Sequence, residues 1–416
     1  MDFKASALNK SFLFSNTLIY STQALKLFFP LLILPFCTSL IGIEKFGIIS
    51  VELSYVILLS FLIDFSVNVY GPSILASMDL EDRKEVIIRM TGLKFTIAAA
   101  ICLVILLLNS FLNDFFTISL SIIFVSFVIG TIFDSNWVFL AEKSFFKLFI
   151  SQLIGILLTL IFAFFSYKKG YDGILVVSFL LSLPLLISSV ASFFILDLPS
   201  RFQNRKIPYE NFKIQNFINE GLKNKSIFYS QIVSAMYTNS GPILLSFMKG
   251  PEVAGIWYIL NRITTAISTI SIVPYRSLFP DIVRIWSQKK SIKNSDLYFS
   301  TTLYLVISII SYFFIYIFFA EVKMFFIESS EIVKVSTLFL MFIWTLAQLC
   351  GPVLTNYLIV KSKNTILFLC NLSSLIFLII IFYPFTAYYS LNGWIVTMIL
   401  SQILITIGFV KVLFRG

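Results

Sequence analysis

Histidine is absent from the 416-residue chain. That one gap excludes Ser-His-Asp triads, histidine proton relays and histidine metal ligation. Charge is scarce as well. Asp, Glu, Lys and Arg together make up 12% of the residues, where an ordinary globular domain carries ~25%. A soluble fold so poor in charge could not clothe its own surface. The four cysteines, Cys37, Cys102, Cys350 and Cys370, sit inside apolar runs and none pairs at metal-ligand spacing, so they read as small packing residues. No G-x-x-x-x-G-K-[ST] occurs, and nothing cradles ATP phosphates. No cofactor or metal is expected.

What the chain has in excess is apolar surface. Hydrophobic residues reach 58%, enough for about twelve membrane spans of about 20 residues each. The runs are long and unbroken rather than alternating, which favours helices over a barrel. The reading is an all-α polytopic membrane protein with twelve transmembrane helices, at 13–36, 47–74, 95–113, 116–139, 147–166, 173–195, 227–248, 255–278, 298–319, 335–359, 365–385 and 393–412. With the N-terminus placed in the cytoplasm, 22 Lys and Arg fall in cytoplasmic segments, Lys94 among them, and 6 fall outside. That asymmetry puts both termini inside. It also accounts for the net charge of +10 without a nucleic-acid partner.

The chain repeats itself. Gly42-Ile43-Glu44-Lys45-Phe46-Gly47-Ile48 recurs at an offset of 208 as Gly250-Pro251-Glu252-Val253-Ala254-Gly255-Ile256, and Asn16 maps to Asn224 and Pro72 to Pro280. Two parallel six-helix halves follow, at 1–200 and 227–416, joined by a polar stretch at 201–226. That stretch reads as an amphipathic helix on the cytoplasmic surface or as a plain solvated linker. A parallel repeat places a substrate site between the halves.

Ionisable groups inside spans mark candidate sites, because each costs at least ~2.5 kcal/mol to insert. On the eighth span Arg262 and Arg276 share a small, polar face with Thr265 and Thr269. Snorkelling to either surface is the alternative for both. On the first span Asn16, Tyr20, Gln23 and Pro30 line one face with Lys26 beside it, and Pro30 and Pro35 should kink or break the helix. The acids are Glu52 and Asp64 on the second span and Asp134 on the fourth. Asp64 has two open readings, pairing with Lys26 or Arg262 and coupling to an ion. Glu52 is its equal as a coupling group, and Asp134 reads as solvated at a helix end. Polar, proline-bearing faces on the seventh span (Gln231, Ser234, Asn239, Pro242) and the tenth (Thr345, Gln348, Pro352) could bind sugar hydroxyls or join helices.

The stretch from Asn16 to Pro30, the Gly42–Gly47 motif, Asp64 and Pro72 resemble the opening of the polysaccharide (O-antigen) flippases. Asn219-Glu220-Gly221-Leu222 and Gly250 to Tyr258 resemble the matching start of that family's second half. The resemblance implies a member of the multidrug/oligosaccharidyl-lipid/polysaccharide exporter superfamily, with two V-shaped bundles around a central cavity. It implies a non-enzymatic flippase that moves undecaprenyl-pyrophosphate-linked oligosaccharide across a bacterial inner membrane by alternating access, coupled to a proton or sodium ion. Lys26, Arg262 and Arg276, with Gln23 and Asn16, become the pyrophosphate and sugar candidates, and Asp64 and Glu52 the coupling candidates. Membrane lipid and a polysaccharide polymerase are the implied associates. One departure stands out: position 272, the repeat partner of Asp64, is Ile272. The alternatives are a drug or cation antiporter of the same fold and a membrane polysaccharide polymerase or ligase.

The topology is testable in cells. Single cysteines introduced at Asn109 should react with an impermeant thiol reagent from outside, and those at Asp79 and Asn204 only after the inner face is exposed. Outside labelling of Asp79 would invert the assignment.

Overall fold

A computed structural model of the chain describes residues 10–76, 80–111, 117–196, 225–268, 332–348 and 364–414, with isolated positions elsewhere. The expected linker at 201–226 therefore lies outside the described residues, apart from its last two positions, and so does Arg276. Every element among the described residues is an α-helix. We number them α1 (Lys10–Ile41), α2 (Ile43–Asp64), α3 (Val67–Ala76), α4 (Leu80–Phe111), α5 (Ile118–Phe133), α6 (Asn136–Ala141), α7 (Phe145–Lys168), α8 (Gly173–Ile195), α9 (Lys225–Asn239), α10 (Gly241–Lys249), α11 (251–268), α12 (Val335–Ala347) and α13 (Asn364–Phe414).

Among the described residues seven helices are long and apolar enough to cross a membrane. Six of them answer the first six expected spans. The seventh, Thr365–Phe409, runs 45 residues, far more than the ~20 that one crossing needs. Ser390, at φ 51°, interrupts it, so it is two helices end to end, at the places expected for the last two spans. The described residues do not carry the count to twelve.

Three of the expected spans are broken, the seventh of them between Asn239 and Gly241, where α9 ends and α10 begins. The second stops at Asp64, turns through Phe65 (φ 47°) and Ser66 (φ 61°) and resumes as α3. The fourth stops at Phe133 and resumes as α6. This corrects the expectation of a continuous helix with Asp64 in its middle. The first span behaves in the opposite way. Pro30 and Pro35 lie inside α1, which stays helical from end to end.

The chain folds into two compact units. The first holds Met1–Phe29 and Glu52–Ile232, and the second holds Pro30–Val51 and Val233–Gly416. In the first unit α3 and α6, the two resumed pieces, pack together. Trp137 of α6 is buried with Val67, Tyr70 and Leu75 of α3 and with Ile87 and Met90 of α4. A β-carbon on Gly71 would stand 2.8 Å from the Trp137 ring. In the second unit Trp257, fully buried, meets Trp344 at 5.4 Å and Trp394 at 5.8 Å. These contacts hold α11, α12 and α13 to one core.

The repeated motif has a packing explanation, and both of its copies belong to the second unit. Gly42 (φ 78°) and Gly250 (φ 91°) lie in the left-handed region, where an L side chain is strained. Each sits just before a new helix, with Glu44 or Glu252 exposed in the first turn, where a helix N-terminus favours negative charge. The second glycines face each other. A β-carbon on Gly255 would lie 3.0 Å from the Gly47 Cα, and one on Gly47 would lie 1.8 Å from the Pro251 carbonyl oxygen. The motif thus packs against its own copy through bare backbone.

Gly47→Ala should lower stability by about 1–3 kcal/mol, because backbone rather than a mobile side chain must yield. The thermal midpoint of purified protein in detergent reads this directly, and an unchanged midpoint would refute the close crossing.

Candidate functional site

The breaks after Asp64 and Phe133 leave helix starts inside the apolar layer. The first N–H groups of a helix have no intrahelical acceptor, and in lipid no water replaces one. Carboxylates take that role here. Asp64 Oδ2 accepts from the Asn68 amide at 3.2 Å, and Asp134 Oδ1 accepts from the Asn136 amide at 3.1 Å. The two starts are linked to each other, since Asn68 Nδ2 donates to Asp134 Oδ2 at 3.0 Å. Gln152 of α7 reaches Asn136 at 3.4 Å.

Charge is balanced at the same place. Lys94 of α4, 1% exposed, brings its Nζ to 2.8 Å from Asp64 Oδ1 and 3.4 Å from the Thr131 carbonyl. This corrects two readings. Lys94 is an interior cation rather than a loop cation, and it, rather than Lys26 or Arg262, is the ion-pair partner of Asp64. Asp134 is half-buried and doubly hydrogen-bonded, where solvation at a helix end was expected. A cavity of about 290 Å³ opens between these groups, lined by Ser60, Asp64, Asn68, Thr131, Asp134 and Gln231.

Glu52 stands apart on α2. Its Oε1 accepts from Thr117 Oγ1 at 2.6 Å and from Ser119 Oγ at 2.9 Å. Thr117 is the N-cap of α5 and accepts from the Leu120 amide. Glu52 is thereby tied to the start of α5.

The expected anion-binding residues are placed as follows. Lys26 is exposed on α1 and Gln23 is half-buried. Asn16 lies on α1, with its side chain outside the described set. Arg262, half-buried on α11, donates from Nη2 to the Tyr258 hydroxyl at 2.8 Å, and its guanidinium carbon lies 4.8 Å from that ring's centre. Tyr258 is itself fixed by an edge contact to Phe46 of the first motif copy, with centroids 5.7 Å apart. On the other polar faces, Asn239 Nδ2 bonds back to the Ala235 carbonyl, and Thr345 shares the buried Tyr312 hydroxyl with Thr264. Pro242 sits in the first turn of α10, just past the break that divides the expected seventh span. Thr345 and Thr264 therefore join helices. Residues 349–357 are not described, which leaves Pro352 aside.

Sequence reasoning missed Lys94, Thr117, Ser119 and Tyr258. Two signals were available for the helix starts, though none for Lys94. Asp64-Phe65-Ser66 and Asp134-Ser135-Asn136 carry helix-start residues inside apolar runs, and Thr117 precedes α5 as an N-cap. Nothing local marks Tyr258 as the partner of Arg262 beyond the i, i+4 spacing.

The chain is similar to known proteins over most of its length. A family model described as "Polysaccharide biosynthesis protein" matches residues 13–286. A Shigella dysenteriae protein described as "Putative O-antigen transporter" is 22% identical over 277 residues, 66% of this chain and 68% of that protein. Among solved structures, an outward-facing multidrug resistance MATE family transporter of the MOP superfamily aligns with a TM-score of 0.60 at 15% identity, covering 98% of this chain and 95% of that one. The inward-facing form of such a transporter aligns at 0.59 and 13%, covering 96% and 94%. A MOP superfamily transporter from Pyrococcus furiosus aligns at 0.59 and 14%, covering 98% and 95%.

Lys94→Met should strand the Asp64 carboxylate at a cost of about 3–5 kcal/mol. Adding Asp64→Asn, which keeps an acceptor for the Asn68 amide, should recover much of that loss. Thermal unfolding of the single and double variants in detergent provides the check. A single variant as stable as wild type would show that the pair carries no weight.

Proposed function

We propose a function from one premise: the chain belongs to the polysaccharide biosynthesis protein family. It is a multi-pass membrane protein with the fold of MOP superfamily transporters. On our reading it is a flippase for lipid-linked oligosaccharide. It carries an undecaprenyl-pyrophosphate-type glycan across a bacterial inner membrane by alternating access, driven by a proton or sodium gradient, and performs no covalent chemistry. Both termini are cytoplasmic in this reading, and a polysaccharide polymerase receives the product.

The observation that carries it is Arg262. Its helix is buried continuously from Val253 to Leu260. The ion pairs among the described residues are Arg89–Glu85 and Lys94–Asp64, so no carboxylate there neutralises Arg262. Tyr258 takes one of the five guanidinium donors and the ring face steadies the plane. A guanidinium so held suits two-point recognition of phosphate oxygens. The polyanionic head of a lipid pyrophosphate is the counter-charge that the helix lacks, and the name of the Shigella relative agrees with such a cargo. Lys26 and Gln23 are secondary candidates, as are Asn16 and Arg276 outside the described side chains.

The cation-exporter alternative draws on the acid-lined cavity of the first unit. There Asp64 is already answered by Lys94 and both acids cap helices, which favours a structural duty over cargo binding. For the polymerase or ligase alternative, the carboxylate–hydroxyl contact of Glu52 with Thr117 and Ser119 is the nearest approach to a base and nucleophile, and it serves the start of α5.

Arg262→Ala should abolish glycan export at unchanged membrane level, and lipid-linked glycan should accumulate in the inner leaflet. Arg262→Lys should retain part of the activity, because the charge survives and the fork geometry does not. Wild-type export by the alanine variant at normal expression would remove Arg262 from the site.

A further inference from the structure

We infer that the second unit binds an anionic phospholipid in a groove between α12 and the helical stretch that contains Ile309 and residues 312–317. The inference needs only the membrane setting of the chain and stands apart from the flippase reading.

The groove has a volume of about 540 Å³. Its floor is fixed by Tyr312. That ring is buried, with its centre 5.3 Å from the centre of Phe342. Its hydroxyl meets Thr345 at 2.8 Å, Thr264 at 3.2 Å and the Met341 carbonyl at 3.2 Å. The rims stand open. Phe313 on one side and Phe339 on the other are each 61% exposed. Open apolar walls of this kind on a multi-pass protein face the bilayer, so the occupant is a lipid chain.

The groove is polar at one end only. Tyr312 lies beside Phe342, so Tyr316, one turn further on, lies toward Val335 and Ser336 at the start of α12, and Ile309 lies at the opposite end. Lys334 directly precedes Val335 and is exposed. The ion pairs among the described residues do not include it. One end thus carries an ammonium and two hydroxyls, and the other carries none. From Val335 to Phe342 the helix rises ~10 Å, against ~15 Å for one leaflet's half of the hydrocarbon core. The trough takes most of a single acyl chain, with the lipid phosphate at its polar end. Lys334 supplies the charge that draws an anionic headgroup, and tyrosine is a side chain that settles at headgroup level.

The isoprenoid tail of the proposed cargo is the rival occupant. The Tyr312 hydroxyl reaches Thr264 of α11, which stands two positions from Arg262 and about 200° around the helix from it. The groove and the guanidinium therefore lie on opposite sides of α11. A molecule whose phosphates rest on Arg262 does not lay its chain here, which favours a resident membrane lipid.

Native mass spectrometry of the full-length protein tests the site, after incubation in detergent with phosphatidylglycerol or phosphatidylcholine of the same acyl chains. Wild type should retain phosphatidylglycerol about fivefold better, which is the ~1 kcal/mol worth of one basic residue beside an anionic lipid. Lys334→Gln should remove that preference. Ser336→Trp, which fills the mouth of the groove, should lower retention of both lipids. Both positions are exposed, so neither change disturbs the core. Equal retention of the two lipids by wild type, or a preference that survives Lys334→Gln, overturns the site. Retention of undecaprenyl phosphate in preference to phosphatidylglycerol, lost in Ser336→Trp, would give the groove to the cargo's tail and overturn the proposal. A dimer abolished by Ser336→Trp would overturn it in favour of a second copy of the chain.

Discussion

An amide or carbonyl left unpaired in hydrocarbon costs several kcal/mol, so a helix can stop inside a membrane only where something replaces the missing turn. The first unit stops two helices in this way, after Asp64 and after Phe133. Asp64 and Asp134 supply the replacement by accepting the first amides of α3 and α6. The rest of the unit's interior follows from that requirement. A carboxylate in lipid needs a counter-charge, and Lys94 provides it for Asp64. A buried ammonium needs further acceptors, and the Thr131 carbonyl is turned toward it. The two resumed pieces then pack through Gly71 against Trp137, where the absence of a β-carbon lets them meet.

The second unit solves a different problem with backbone alone. Helices in lipid gain little from burying apolar side chains against one another, because the tails outside are equally apolar, so close approach matters more. The crossing of Gly47 and Gly255 brings two helices into backbone contact. Gly42 and Gly250 supply the left-handed turn that each approach requires. The same crossing carries Phe46 to Tyr258 and, through Tyr258, steadies Arg262. A sequence repeat that reads as an echo of duplication is therefore also a contact surface between its own copies, next to the residue proposed to hold the cargo's phosphate.

The fold class was legible because it rests on composition: 58% hydrophobic and 12% charged residues leave few alternatives to a helical membrane protein. The first six spans were legible because their apolar runs are long. The breaks were not, because Phe65 and Val67 continue the run by hydropathy while Asp64 and Ser66 interrupt it only by hydrogen-bonding chemistry. Lys94 was assigned to a loop because it falls one residue before the apolar run that follows. Its burial depends on α4 meeting the end of α2 at Asp64 and α5 at the Thr131 carbonyl, which no local pattern encodes. Arg262 and Glu52 were recognisable as anomalies from their positions alone. Their partners, Tyr258 one turn earlier and Thr117 a distant 65 positions on, differ in how far sequence reasoning can reach.

The membrane-embedded charges sort by how they are compensated. Asp64 and Lys94 cancel each other within the protein. Changing the protonation of either means breaking a buried pair at a cost of several kcal/mol, so the pair serves as a fixed strut. Arg262 and Glu52 have no such internal answer among the described residues. For Arg262 the available compensation is an anion, and a phosphate oxygen fits its planar donors. For Glu52 the hydroxyls of Thr117 and Ser119 meet one carboxyl oxygen and leave the other buried without a partner. The uncompensated residues are for that reason the better candidates for work, and the compensated ones the better candidates for architecture.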